Sequence, residues 1–459
     1  MLKKANIQRL PSELGTEPIG KLLWAYSLPT IIGTLVNALY NIVDRIFIGQ
    51  GVGPMAISGL TLTFPMMMIL GAFGMLIGQG SATQISIYLG RKDKKTAENI
   101  LGNAFVFTFI TMSIVISVSL FFLDDILIAF GGSEATIPYA KDYLKIIIPG
   151  HIFTALSFGF NNSMRASGYP VKAMLTMLIG AVINTILDPI FIFVFDWGIE
   201  GAAYSTVISM AVSAIWVMRH FTNPKSNLHF KRGCFKLKKK IILAIISIGM
   251  APFFIQVSAS LVNALMNHAL RNTGGDLAIG AFGIINSFST LIIMGIVGLN
   301  NGMQPIIGYN YGARQNDRVL KTLRYGIIIA TLATTLGGLC AELFPRQLAR
   351  LFTSDSELIE LTAHGMHICY ALFVVVGGQI VVTNFFQAIG KAKISIFLSL
   401  TRQLIFLVPF ILIFPPIWGL TGTWMALPCA DLISTVVAAT MLYFQVKKLK
   451  QPKAAVPQV

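Results

Sequence analysis

Three acidic residues stand inside long apolar runs of this chain, at Asp44, Asp188 and Asp431. A carboxylate at the centre of a membrane helix costs about 2.5 to 3.5 kcal/mol, so a chain keeps one there to hold an ion, a proton or a partner. Asp188 lies in Asn184-Thr-Ile-Leu-Asp188-Pro189. Residues four apart on a helix share a face, so Asn184 and Asp188 point the same way. An amide and a carboxylate together offer oxygens to a small hard cation, and they hold a protonated carboxyl equally well. Pro189 frees a carbonyl one turn earlier, and such carbonyls ligate ions in broken membrane helices. The alternative is a packing kink with a satisfied Asp188. Asp44 lies in Leu-Tyr-Asn-Ile-Val-Asp-Arg, fifteen residues after Pro29. Pairing with Arg45 is the alternative there, but adjacent helical residues point about 100° apart, which makes that pair poor. Asp431 and Arg402, each mid-helix, read as a structural pair, with a ligand-contacting role as the alternative.

Other side chains say less. His364 and His367 are three apart, yet no third metal ligand is visible. His151 reads as a packing residue. Met66-Met67-Met68 follows Pro65; these residues suit either a soft, adaptable cavity or lipid-facing packing. Gly74 and Gly78 favour close helix approach. The cysteines, Cys234, Cys340, Cys369 and Cys429, form no CxxC, which excludes a zinc knuckle and gives no reason to propose a disulfide. No HExxH, GxSxG, Walker loop or GxGxxG stands in a credible context. An enzyme is therefore not expected, nor is a cofactor beyond a coupling ion.

The elements that must position these residues follow from composition. The 459 residues are 55% hydrophobic and 12% charged, with a mean hydropathy of +0.72. A soluble domain carries about 25% charged residues. Apolar runs of twenty or more residues recur along the chain, each able to span about 30 Å of hydrocarbon. In lipid such runs must be helices, because backbone groups cannot stay unpaired. We expect an all-α integral membrane protein with twelve transmembrane helices near 21–50, 54–89, 98–122, 136–162, 170–195, 200–220, 239–270, 277–309, 317–343, 357–388, 394–414 and 418–446. The first run is too long for a signal peptide.

The net charge of +16 invites a nucleic-acid partner, but the positions of the charges explain it better. With both termini inside, twenty-eight of the 35 Lys and Arg fall in inside segments and three, Arg271, Arg346 and Arg350, fall outside. That asymmetry sets orientation in a cell membrane. It also places Asp44 and Asp188 in the outer half. Their proximity does not follow from spacing. If they share a pocket, a carboxyl exchanging a proton near neutral pH can couple proton influx to a conformational change.

The chain also repeats itself. Gly80 and Gly302, and Gly90 and Gly312, are 222 apart, as are Arg-Ala-Ser-Gly at 165–168 and Gln-Ala-Ile-Gly at 387–390. WGIEGAA and WGLTGTW are offset by 221, and LVNALYN and LVNALMN by 226. We expect a six-helix lobe over 1–220, a basic linker over 221–238 and a second six-helix lobe over 239–459. Six helices is an even number, so the lobes relate by an axis along the membrane normal, with a substrate path between them. The stretch Arg219 to Lys240 reads as a solvated inside loop that also touches anionic lipid.

These residues resemble the multidrug and toxic compound extrusion (MATE) transporters over essentially the whole chain. The resemblance rests on Pro29 with LYNIVDRIFIG, GQGSATQIS and YLGRKD after helix two, RASG, the N–DP of helix five with FIF, and WGIEGAAYST. The branch containing DinF and MepA looks closer than the NorM branch. The resemblance implies two pseudo-symmetric six-helix lobes forming a V. It implies a monomeric antiporter that exports small organic cations and drugs in exchange for H+ or Na+. It assigns the cation site to Asp44, Asn184, Asp188, Thr206 and the carbonyl of Ala202, with Tyr143 in the same network and Pro29 as a bending point. Asp44, Asn184, Asp188 and Thr206 would be the ligands of a Na+. Met66, Met67, Gln256, Arg402 and Asp431 are expected to line the substrate cavity. Gln256 and Gly378 stand where the NorM branch carries acids, so coupling is expected to rest on the first lobe. One rival is a flippase for lipid-linked precursors, which would want several essential cavity arginines; only Arg45 and Arg402 lie well inside helices. The other is a membrane enzyme or receptor, whose catalytic constellation or large external domain is not visible.

Overall fold

A computed structural model describes residues 10–52, 54–130 and 136–451; the side chains of 41, 42, 45, 46, 49, 54–59 and 61 lie outside that set. The Asp44–Arg45 alternative is therefore outside the described residues. The helices are α1 Ile19–Gly51, α2 Pro54–Gly90, α3 Lys94–Phe121, α4 Ile137–Ala166, α5 Pro170–Pro189, α6 Gly198–Thr222 and α9 Asn316–Leu343. Between α6 and α9, Lys239–Gly312 runs 74 residues but breaks at Gly275, where φ is 66°, into α7 and α8. The bent pair Ser356–Tyr370 and Phe373–Ala388, 53° apart, forms α10. The final stretch, Ala392–Lys450, breaks at Gly419, where φ is 57°, into α11 and α12. Nine helices among the described residues are long and apolar enough to cross a membrane, or ten with the bent pair; dividing the two double-length ones at their glycines gives α1–α12. The bend in α10 had no clear sequence signal.

The backbone carries the repeat. Left-handed φ values recur at Lys92 (62°) and Arg314 (60°), at Gly168 (100°) and Gly390 (75°), and at Gly198 (53°) and Gly419 (57°). Each pair is separated by the repeat distance seen in the sequence. Contacts between the halves are reciprocal too. A Cβ on Gly90 would lie 1.9 Å from the Tyr309 carbonyl oxygen, and one on Gly312 would lie 2.0 Å from that of Ile87. Gln79 donates to Asn301, its counterpart one repeat on, at 3.0 Å, so this pair sits on the axis relating the halves.

These contacts gather at the end of the bundle that carries the Lys and Arg clusters, called here the basic end. Gly249 approaches Leu76, Gly298 approaches Ile31 and Gly302 approaches Ser27, all closely enough to exclude a Cβ. Gln304 donates to Thr83 at 2.5 Å, and Arg318 reaches the Glu17 carbonyl at 2.6 Å. Midway, Phe73 meets Phe253 edge-on and Gln256 donates to the Met68 sulfur at 3.5 Å. Towards the opposite end the buried apolar clusters stay within one half each. The halves are thus sealed at the basic end. Within the first half, Gly78 packs directly on Gly159 and Gly74 on Ala155, as small residues at four-residue spacing allow.

The 223–238 segment corrects the solvated-loop expectation. It folds back on the first half, burying Leu228 and Cys234 and stacking Phe230 against Phe105, Phe160 and Phe221.

Overpacking a tight backbone crossing costs about 1–3 kcal/mol. Gly90→Val and Gly312→Val should lower the unfolding midpoint in detergent to a similar extent, read by a thermal-shift assay. A silent Gly312→Val would contradict the reciprocal packing.

Candidate functional site

At the end opposite the seal, α1, α4, α5 and α6 of the first half converge on Asp188. It is fully buried, and Tyr143, Ile147, Ile192 and Ala202 form a buried apolar cluster on the same helices. Asn184, one turn earlier on α5, donates to Asp188 Oδ1 at 3.1 Å, to Thr206 Oγ1 at 3.3 Å and to Ser205 Oγ at 3.4 Å. Ser205 also contacts Asp188 Oδ1, and its hydroxyl faces the Ala202 carbonyl at 2.9 Å. Tyr143 is buried beside them, bonds to Thr206 and lies near Asp44, Tyr40 and Asp188. Asp44, partly buried on α1, meets Asp188 side chain to side chain. After Pro189 the helix widens into the π-helical turn Ile190–Val194, a form common where helices carry sites.

This pocket is short of donors. Asp188 Oδ2 and Asn184 Oδ1 are buried and receive no N–H or O–H. Ser205 has one proton to divide between Asp188 and Ala202. Two facing carboxyls hydrogen-bond only if one carries a proton. A proton on Asp188 would let it donate to Ser205 or Asp44 and leave the Ser205 hydroxyl to Ala202. A small monovalent cation is the other way to satisfy these oxygens, since hard cations take carboxylate, amide and hydroxyl ligands. Among the described residues no cluster of three His, Cys, Asp or Glu suits a transition metal.

The structure thus brings Asp44, Asn184, Asp188, Thr206, Ala202 and Tyr143 together. Sequence reading missed Ser205 and Tyr40. Tyr40 is one turn before Asp44 and shares its face, a signal that was available; Ser205 had none beyond adjoining Thr206. Pro29 lies fifteen residues from Asp44, about 22 Å along a helix, and α1 continues through it.

One turn nearer the basic end, Tyr40 also lines a small chamber of about 30 Å³. Asn37, Ser157, Asn161, Thr176, Ser209 and Ser213 contribute polar groups, and Phe158, Met177 and Met210 apolar ones. None of the five residues expected to line a substrate cavity borders this chamber. Met66 is buried against Leu123, Leu144 and Ile148, and Met67 packs in the cluster of Ile48 and Ile147; both fill the interior of the first half. Gln256 sits between the halves on Met68. Arg402 Nε donates to Asp431 Oδ1 at 2.6 Å, with 24% and 13% of their side chains exposed.

The repeat shows what the second half lacks. At offset 222, Asp44 maps to Met266, Asn184 to Phe406 and Asp188 to Phe410; at offset 221, Ser205 maps to Ala426 and Thr206 to Leu427. Those five residues pack together in one apolar cluster. Arg402 and Asp431 map in the same way to Gly180 and Met210, two chamber residues. The second half therefore fills the position of the acidic pocket with hydrocarbon and the chamber position with an ion pair. His367 bonds to Glu342 at 2.6 Å, and the His364 ring meets Trp424 edge-on.

Removing one partner of a buried ion pair is destabilising by about 3–5 kcal/mol, whereas replacing both with apolar groups is often neutral. Arg402→Leu alone should therefore lower the melting midpoint in detergent more than Arg402→Leu combined with Asp431→Leu. The opposite order would mean the pair does not hold the second half together.

Comparison with known proteins agrees with this geometry. The chain is 29% identical to the multidrug export protein MepA of Staphylococcus haemolyticus over 444 residues, covering 96% of this chain and 97% of that one. It is 29% identical over 437 residues to MepA of Staphylococcus aureus (strain NCTC 8325 / PS 47), covering 93% and 94%. Among solved structures, the MATE multidrug transporter DinF-BH, solved as a ligand complex, is 37% identical, with a TM-score of 0.89 over 97% of this chain and 99% of that one. An outward-facing MATE family transporter of the MOP superfamily shares the fold at a TM-score of 0.91 and 24% identity, covering 97% and 100%. These relatives are membrane transporters rather than enzymes. The MatE family model matches twice, at residues 29–190 and 251–413, once in each half, and the chain belongs to the MatE family.

Proposed function

We propose that this protein is a secondary active multidrug exporter, expelling small organic cations in exchange for a proton or Na+ taken up at Asp44 and Asp188. The observation that carries this reading is the meeting of Asp44 with the fully buried Asp188, whose Oδ2 no donor reaches, in a pocket at the end away from the inter-half seal. With the basic end in the cytoplasm, as the Lys and Arg distribution favours, both termini are cytoplasmic, the seal is inside and the cation pocket lies on the outer side. The chain then acts as a monomer in the cell membrane. The small chamber beside Tyr40, lined by both polar and apolar side chains, is the site proposed for the exported compound, and it has to open further to admit a drug-sized molecule. Tyr40, one turn from Asp44, borders both the pocket and the chamber, so an ion at Asp44 and a compound in the chamber act on one another through α1. The named activities of MepA and DinF-BH as multidrug transporters support the substrate class.

A coupling ion moves a conformational equilibrium only through its different affinity for the two states. Here α1 supplies the connection. Ser27 and Thr34 reach the carbonyls of Leu299 and Met294 in the second half at 3.3 and 3.4 Å, and the same helix carries Tyr40 and Asp44 into the pocket. A charge change at Asp44 alters what holds the far end of α1, with Pro29 as the point where it bends. The flippase alternative has less behind it: Arg402 is committed to Asp431, and the relatives named above are multidrug transporters.

Dye efflux from proteoliposomes should be driven by an imposed proton or sodium gradient, and the gradient that drives it names the ion. Asp44→Asn should abolish gradient-driven efflux at normal expression. Efflux at the wild-type rate from that variant would overturn the coupling mechanism.

A further inference from the structure

We infer that the segment joining α6 to α7 is a docked strap that binds anionic phospholipid headgroups of the adjacent leaflet. From Arg219 to Lys240 the chain carries eight basic residues and no acid. All eight, Arg219, Lys225, Lys231, Arg232, Lys236, Lys238, Lys239 and Lys240, are at least partly exposed. A loose loop would present these charges at no fixed place. Here one buried side chain fixes them. Asn103 on α3, fully buried, donates to the carbonyls of Cys234 and Lys236 at 3.0 and 3.1 Å and accepts from the Lys238 N–H at 2.7 Å. Glu98, one turn earlier and 4% exposed, pairs with Lys231 at 2.9 Å. A Cβ on Gly102 would strike Cys234, so the strap lies directly on α3.

Its depth points to lipid. Asn103 is nine residues into α3, about 14 Å along its axis, so the strap reaches down the helix flank. There Phe235 meets Phe105 edge-on, and Phe105 packs at a tilt against Phe109, a residue 38% exposed. The strap thus continues an aromatic row on the outer face of α3. Phe235 and Leu237 are themselves 40% and 45% exposed, flanked by Lys236, Lys238 and Lys239. Apolar side chains at the acyl boundary with basic ones among the headgroups are how interfacial segments hold a membrane. Because Asn103 grips the backbone up to the residue before α7, a bound headgroup also fixes where the second half begins.

Native mass spectrometry of the detergent-solubilised full chain tests this without relying on transport. With phosphatidylglycerol and phosphatidylcholine added in equal amounts, the wild type should retain phosphatidylglycerol preferentially. Neutralising Lys236, Lys238, Lys239 and Lys240 to Gln should weaken retention at least about tenfold, since a surface lysine is worth about fivefold. Neutralising Lys393, Lys447, Lys448 and Lys450, also at the basic end, should leave it near wild type. Asn103→Ala keeps every charge but frees the strap; it should weaken retention and expose buried Cys234 to maleimide. Equal retention by the strap variant and the wild type would overturn the proposal. So would an equal loss in the control variant, which would reduce the effect to overall charge, or a shift to dimer without lipid, which would give the face to a second copy.

Discussion

Two carboxyl groups facing each other, one of them fully buried with an oxygen that no donor reaches, are the constraint on which the rest depends. Asp44 and Asp188 meet in a pocket whose other polar members, Asn184, Ser205, Thr206 and Tyr143, cannot supply the missing positive charge. A purely structural pocket of this kind would be a standing cost in lipid. It becomes useful if the charge comes and goes. The π-helical turn after Pro189 and the polar chamber beside Tyr40 are then parts of one assembly in the first half.

The two halves share a backbone plan and differ in chemistry. Left-handed turns recur at the repeat distance, and glycines meet carbonyls reciprocally across the seal. The second half replaces the cation pocket with Met266, Phe406, Phe410, Ala426 and Leu427, and an ion pair occupies the place matching the chamber. One half holds the ionisable pocket and the other holds apolar side chains at the matching positions. The helix α1 belongs to both tasks, since its basic end is wedged against α8 and its other end carries Asp44.

Much of this was legible in the sequence because lipid leaves few choices. Long apolar runs must be helices, and buried acids must have a reason. Asn184 and Asp188 were readable from helical spacing, while Asp44 joined them only through resemblance, because nothing local brings α1 against α5. Side-chain direction was the weak point. Met66 and Met67 looked suited to a cavity, yet a methionine fills any irregular interior gap, and here that interior is the first half's own core. The basic linker looked solvated because its charges are; what docks it is the neutral Asn103, far before Cys234 in the chain and invisible to local patterning. The LVNAL match at offset 226 is about one helical turn out of register with the family-model matches, which start at 29 and 251.

The most direct test of the central claim is the affinity of the purified protein for a fluorescent cationic dye, measured as a function of pH and of sodium. If ion and drug both depend on Asp44, each must weaken the other by the same factor. Dye binding should then tighten by up to about tenfold per pH unit where the pocket loses its proton, or loosen as sodium rises, and Asp44→Asn should flatten that dependence. A wild-type affinity that ignores both ions, or an unchanged slope in Asp44→Asn, would contradict the account.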